Sequence, residues 1–438
     1  MSEAPKISRR HVAAAVIGNA LEFYDFVTYA FFAVQLGQTF FPSHDAYASL
    51  MLSLGTFGAG FAMRPLGGVL LGRYADRVGR RPAMLLSFGL MGGAILAVAL
   101  IPSYASIGVA APILVVLARM VQGFALGGEV GSSTAYLVEA APVYERGFYA
   151  AWQGGSQYMA SLFGGIVGVV LTQTLDPTSF AAYGWRIAFG IGALALPFGL
   201  YMRNRMPETL HLSDTAHMPE QKGRTAELLR GSTRPVVLGL IILASATIFT
   251  YVTNYMTTFA ETVLHMGETI SLMATLVLGF CGIVGMQFGG WLSDRIGRWP
   301  VMVLPRVVYI VVCYPIYLWM VDTRSATALL VGTAFLQLLG TMSFAPFYAA
   351  LTESLPKPIR GAVFGTIYAL SIAIFGGTTQ VVITWLMHIT GSPLAPALYS
   401  LGSGVIGTIA MAMMRETAPI KLAPFGASPN AAAVQSAE

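Results

Sequence analysis

The chain has 438 residues, of which 55% are hydrophobic and only 10% charged, against roughly 25% charged in soluble domains. That composition excludes a soluble globular domain and a disordered chain, and it puts the protein in a lipid bilayer. The formal net charge of +5 invites a nucleic-acid reading, which the placement of the basic residues removes.

About twelve apolar runs follow one another, near residues 12–38, 48–74, 82–102, 111–138, 147–175, 184–203, 234–260, 270–293, 300–320, 326–350, 361–388 and 394–414. A helix needs about 20 residues to cross a hydrocarbon core of roughly 30 Å. Membrane strands would be shorter and alternate in polarity, so the sequence predicts an all-α membrane protein. The first run is too long, and too charged at Glu22 and Asp25, to be a cleaved signal peptide. Those two acids share one helix face, with Tyr29 a turn further on. The second run holds Arg64, about 18 Å along the axis from Asp76 at 1.5 Å per residue, and so near mid-membrane. The fourth carries Arg119 and Glu129, about 15 Å apart on the same scale. Gln153 and Gln157 stand one turn apart in the fifth, and Tyr251, Asn254 and Tyr255 share a face of the seventh. Cys281 and Cys313 lie inside the eighth and ninth runs without metal-type spacing, and are expected to be free and buried. The ninth also contains Arg306, whose role the sequence leaves open.

Two charged strings punctuate these runs. "GRYADRVGRRP" begins at Gly72 and "GGWLSDRIGRWP" at Gly289, so that Asp76, Arg77, Arg80 and Arg81 correspond to Asp294, Arg295, Arg298 and Trp299. A second pair, "EAAPVYERG" with Glu139 and Arg146 and "ESLPKPIRG" with Glu353 and Arg360, repeats in the same order. Patterns recurring at nearly one offset imply a six-helix unit used twice in the same orientation. The expected organisation is a half at 1–203, a polar linker at 204–233, a second half at 234–416 and a disordered cytoplasmic tail at 417–438. The loops that carry these strings also hold most of the basic residues, and the opposite loops hold Asp45, Asp176, Glu261, Glu268 and Asp322. The positive-inside rule then expects both termini in the cytoplasm of a multi-pass protein. Nucleic acid is not an expected partner; the bilayer is.

These strings resemble the loop signature G-x-x-x-D-R-x-G-R-R of the major facilitator superfamily, and "RMVQG" at Arg119, Gln122 and Gly123 is similar to its helix 4 pattern. "GNALEFYDFVTYAFF", "MRPLGG", "GGEVGSSTAYLVEAAPVYERGFYAAWQ" and "GWRIAF" look like the metabolite:proton symporter group within it. "AALTESLP", "AIFGGTTQ" and "AWQGGSQ" look most like bacterial citrate and tricarballylate carriers. The resemblance implies two pseudo-symmetric six-helix halves, a bacterial inner-membrane location, no cofactor and no catalytic residue. It departs from the family where Trp299 stands in place of a second arginine.

An ionisable side chain at mid-bilayer costs at least ~2.5–3.5 kcal/mol on insertion scales and is a functional candidate by default. Glu22, Asp25 and Glu129 are read as candidates to carry a transported proton. Arg64 and Arg119 are read as holders of substrate carboxylates, completed by Gln153, Gln157, Tyr251, Asn254 and Tyr255. Asp76, Arg77, Arg80, Arg81, Glu139 and Arg146, with Asp294, Arg295, Arg298, Glu353 and Arg360, are read as a gate on the basic face. The expectation is a monomeric, proton-coupled importer of a small organic acid, citrate or a related tricarboxylate. The alternatives are a symporter of 2-oxoglutarate, shikimate or proline/betaine, and a drug:proton antiporter. No H-E-x-x-H, phosphate loop or Ser/His/Asp set speaks for an enzyme or a metal site.

Overall fold

The computed structural model describes residues 9–78, 80–127, 137–138, 141–204, 227–356 and 359–422. Within them the chain is helical, and eight helices are long and apolar enough to cross a membrane, with shorter apolar helices beside them. Crossing α1 comprises Arg9–Phe31 and Ala33–Phe40, and α2 comprises Ala46–Ala62 and Arg64–Val78. Then follow α3 (Arg80–Leu100), α4 (Ala110–Leu126), α5 (Arg146–Thr174) and α6 (Trp185–Asn204). The second half contains α7 (Thr233–Asn254 and Met256–Thr262), α8 (Glu268–Ile296), α9 (Arg298–Thr323) and α10 (Ala326–Glu353). It closes with α11 (Arg360–Ser371 and Gly377–Thr390, joined by a π-turn at Ile372–Gly376) and α12 (Ala395–Met413). These are the crossings expected from the apolar runs, arranged as two six-helix halves. Cys281 and Cys313 are free and buried, as expected.

Lipid tails are as apolar as leucine, so nothing hydrophobic drives these helices together; close backbone approach and buried polar contacts must do it. The halves meet along two seams, α5 against α8 and α2 against α11. In the second seam Gly58 and Gly377 face each other so closely that a Cβ on Gly58 would lie 2.5 Å from the Gly377 carbonyl oxygen. Any side chain there would push α2 and α11 apart. Beyond this crossing, on the face away from the basic loops, Tyr47 of α2 stacks on His388 of α11 at 3.9 Å and 13°.

The basic face is closed by charge. Asp294, at the end of α8, accepts hydrogen bonds from the backbone N–H groups of Gly147 (2.9 Å) and Phe148 (2.8 Å) at the start of α5. A carboxylate here satisfies orphan donors and meets the positive end of the helix dipole. Arg298 pairs with the same Asp294 at 2.5 Å and with Glu353 of α10 at 3.2 Å. Arg295 points outward over the Trp291 ring at 4.0 Å. Arg146 leaves its Nε without a partner among the described residues, and Arg360 donates to the Leu355 carbonyl at 3.3 Å. In the first half Arg77 is exposed. The side chains of Asp76, Arg80 and Arg81, and the whole of Glu139, lie outside the described residues.

The tail begins later than the sequence predicts. Glu416 turns back and accepts from the N–H groups of Arg298 (2.8 Å), Trp299 (3.0 Å), Thr417 (2.9 Å) and Ala418 (2.8 Å), while Thr417 donates to Glu353 at 2.7 Å. Pro419–Leu422 forms one more turn. The residues expected to be disordered at 417–422 are held because a carboxylate three positions past the end of α12 saturates unpaired N–H groups at the start of α9. With both faces shut, the space left between the halves is small.

We expect Asp294→Asn to loosen the closed basic face, because hydrogen bonds to charged groups contribute ~1.5–3 kcal/mol each and ~1.4 kcal/mol is tenfold in population. Spin labels on the basic-face ends of α5 and α8 should then show a longer second distance that the parent chain lacks. An unchanged distance distribution would remove Asp294 from the closure.

Candidate functional site

The site is built on α1, whose inward face repeats a polar residue every third or fourth position: Asn19, Glu22, Asp25, Tyr29. All four are at most 6% exposed. Asn19 donates to Ser156 Oγ at 2.6 Å and so ties α1 to α5. Tyr29 donates to the Ser53 carbonyl at 3.2 Å and ties α1 to α2. Asp25 is fully buried, and Arg119 of α4, equally buried, reaches it at 2.8 Å. Gln122, one turn along α4, accepts from Arg119 at 2.5 Å and donates to Asp25 at 3.3 Å. The amide therefore closes a three-membered ring of charge-assisted bonds. Arg119 can approach because α4 crosses α2 almost backbone to backbone: a Cβ on Gly123 would lie 1.6 Å from the Gly60 carbonyl oxygen.

A second guanidinium lies beside the first. Arg64 starts the second segment of α2 at the break after Ala62, and is 2% exposed. Both cations sit on one ring, with Phe26 4.6 Å from Arg64 and 4.7 Å from Arg119. Phe61 (4.5 Å) flanks Arg64, and Tyr29 (4.4 Å) flanks Arg119. Glu22, Tyr251 and Tyr368 are electrostatic neighbours of Arg64. Arg119 spends its Nη1 on Asp25 and Gln122, whereas its Nε and Nη2, and the Nε and Nη2 of Arg64, have no acceptor among the described residues. Four buried donors on two cations, without acceptors among the described residues, have the chemistry to bind an anion.

Phe26, the ring that the two guanidinium groups share, lines a cavity of about 20 Å³ between the halves together with Phe23, Val27 and Phe57. Gln157, Tyr158 and Ser161 of α5 and Thr250, Tyr251 and Asn254 of α7 complete it. A single water needs about 10–15 Å³, so this is a contracted, occluded site that must widen to accept any organic molecule. Gln157 spans it, donating to the Tyr368 hydroxyl of α11 at 3.0 Å. Tyr251 packs edge-on against Phe57 (5.9 Å) and Phe61 (5.3 Å), joining α7 to α2.

The sequence-predicted residues thus divide. Glu22, Asp25, Arg64, Arg119, Gln157, Tyr251 and Asn254 come together at the cavity or in the layer behind it. Gln153 is buried behind it, its backbone carbonyl accepting from Asn19 and Ser156. Tyr255 accepts from Thr384 of α11 at 2.8 Å and does not line the cavity. Glu129 lies outside the described residues. Gln122, Tyr158 and Phe26 were not predicted as site residues. Gln122 had a readable signal, its position three residues after Arg119 on the same face; a ring shared by two guanidinium groups has none. Among the described residues no three metal-ligating side chains gather.

A family model described as Major Facilitator Superfamily matches residues 15–377. The chain is 34% identical over 415 residues to the citrate-proton symporter of Salmonella typhi, covering 94% of this chain and 95% of that protein. It is 31% identical over 451 residues to the glycine betaine/proline/ectoine/pipecolic acid transporter OusA of Dickeya dadantii, covering 98% and 87%. Among solved structures, a D-xylose-proton symporter superposes with a TM-score of 0.75 at 18% identity, over 93% of this chain and 98% of that one; at such identity the likeness concerns the fold. Two six-helix halves around an occluded site, and a match over most of the chain, make this protein a member of the Major Facilitator Superfamily, a multi-pass membrane transporter and not an enzyme.

Proposed function

We propose that the protein imports a small organic acid together with protons, by alternating access of its two halves, with citrate or a related tricarboxylate as the substrate. The observation that carries this reading is the Asp25–Arg119–Gln122 ring beside the partnerless nitrogens of Arg64. An anionic substrate entering the widened cavity competes with Asp25 for Arg119. Protonation of Asp25 removes its charge and frees Arg119 to join Arg64 on substrate carboxylates. Deprotonation on the other side restores the ion pair and expels the anion. Gln157, Tyr251 and Asn254 supply polar contacts across the cavity, and Glu22, beside Arg64, is a second proton carrier. Glu129 keeps its proposed place in proton transfer.

The positive-inside rule supports a cytoplasmic position for the basic face, and we read the chain as a monomer in a bacterial inner membrane. Its gate on that face comprises Asp294, Arg298 and Glu353 with the equivalent groups of the first half. Energetics favour coupling: each negative charge moved inward costs ~2.3 kcal/mol per 100 mV, and each co-transported proton returns as much. A trianion needs about three protons, bound to carrier or substrate, to cross without net charge. The 34% identity to a citrate-proton symporter supports the substrate class.

A second reading takes a betaine- or proline-like zwitterion as substrate. It is favoured by the rings of Phe57, Phe61 and Tyr251, which meet edge to face at the cavity and belong to the kind of surface that attracts quaternary ammonium groups. Two guanidinium groups in the same place repel such a cation, so we rank it second.

In proteoliposomes with an imposed inward proton gradient, labelled citrate should accumulate and a protonophore should abolish the accumulation. Uptake of betaine with no uptake of citrate would replace the first reading by the second. Asp25→Asn should lose gradient-driven accumulation at least tenfold yet retain citrate exchange across the membrane; full accumulation by this variant would remove Asp25 from coupling. Arg64→Gln should weaken citrate binding by about 10- to 100-fold, from ~1.5–3 kcal/mol per charged hydrogen bond. Arg64→Lys should restore little of it, since a lysine cannot reproduce the guanidinium fork.

A further inference from the structure

Arg306 is the one arginine inside the second half whose role neither the cavity nor the gate absorbs. It lies eight residues into α9, about 12 Å from Arg298 along the axis, and it is 0% exposed. The rings of Tyr309 (4.6 Å), Phe344 (4.7 Å) and Phe249 (5.6 Å) surround its guanidinium carbon. Of its nitrogens, Nη2 donates to Ser245 Oγ of α7 at 3.1 Å. Nε and Nη1 have no partner among the described residues, and no carboxylate there lies within ion-pair distance. None of these neighbours lines the central cavity, and the position, among α7, α9 and α10, is separate from the Asp25–Arg119–Arg64 cluster on α1, α2 and α4.

An arginine cannot shed its charge as a buried lysine or acid can. Sealed among rings it needs a counter-charge, and cation–π contacts offset only part of the cost of removing it from water. The polar groups nearby are of one kind. Ser245 donates to the Ser403 carbonyl at 2.8 Å, and Tyr309 shares a hydrogen bond of 2.7 Å with Ser400 of α12. Tyr309 is also hydrogen-bonded to the buried Cys313 thiol, so the donors left over in the cluster are those of Arg306. α12 approaches the guanidinium at Gly404, where a Cβ would lie in ordinary van der Waals contact with Arg306 Nη2, at 3.5 Å. A fixed positive charge that is fully buried, walled by aromatic rings and left with N–H donors unpartnered among the described residues suits a small, weakly hydrated anion.

We propose that Arg306 holds a small inorganic anion of the halide class at the junction of α7, α9, α10 and α12, as a fixed counter-ion of the second half. The anion binds the folded chain and stabilises it in proportion to its occupancy.

The test uses the full purified chain in chloride, bromide or gluconate at equal ionic strength. Thermal midpoints should rise saturably with chloride and bromide and not with gluconate. At ten times the half-saturating chloride concentration the folded-to-unfolded ratio should be raised about elevenfold. Arg306→Met, which keeps length and apolarity, should lose this dependence while citrate still raises its midpoint as in the parent chain, which separates this site from the substrate site. Bromide should also give an anomalous scattering peak beside Nε and Nη1 in crystals of the unaltered protein, a readout independent of whether the variant folds. Equal midpoints in chloride and gluconate, the same halide dependence in Arg306→Met, or density for an ordered water only would each overturn the proposal.

Discussion

The structure turns on one electrostatic constraint: two guanidinium groups share a single phenyl ring in the middle of the first half, and two buried carboxylates, Asp25 and Glu22, accompany them. The Asp25–Arg119 pair at 2.8 Å is the contact that makes this arrangement tolerable. A buried ion pair rarely adds stability over apolar packing, but removing one partner is costly because the other charge is left stranded. That asymmetry suits a carrier. In the proposed mechanism the pair holds while the site is empty, and a proton and an anion arriving together replace it without leaving a bare charge.

The two halves solve the same burial problem differently. In the first, the cations sit behind Phe26, which lines a cavity shared with the other half, and in the proposed mechanism a substrate exchanges with Asp25. In the second, Arg306 is sealed behind α7 and α12 with rings on three sides. The halves themselves are joined by two kinds of contact. On the basic face Asp294 caps a helix of the opposite half, a contact that breaks cleanly once water enters. Toward the other face Gly58 and Gly377 bring α2 and α11 into van der Waals register, a contact that depends on the absence of side chains. Closing one while opening the other is what alternating access requires of such a molecule.

Much of this was legible in the sequence. Run lengths gave the crossings, and the doubled D-R-x-G-R strings gave the two halves. The rule that ionisable residues inside a membrane face the protein interior picked out Glu22, Asp25, Arg64 and Arg119. Partners separated by many residues were not legible. Asp25 and Arg119 are 94 positions apart, and nothing in either segment distinguishes Arg119 from Arg64 as the one that takes the acid. Gln122, which completes the ring, was readable as a residue sharing a face with Arg119, but its bond to Asp25 across 97 positions was not. The folded start of the tail was hidden because Glu416 finds its donors more than a hundred residues away, at the N-terminus of α9. Tyr255 was grouped with Tyr251 and Asn254 by periodicity alone, yet it turns to Thr384 because the helix breaks at that residue.

The central claim is that substrate carboxylates and Asp25 compete for the same guanidinium. It is tested most directly by following protons in a lightly buffered dye solution as citrate binds to the purified protein. The account predicts that the parent chain takes up about one proton per citrate bound, beyond those citrate itself exchanges, and that Asp25→Asn takes up none. Equal proton uptake by the two chains, with citrate bound to both, would contradict it.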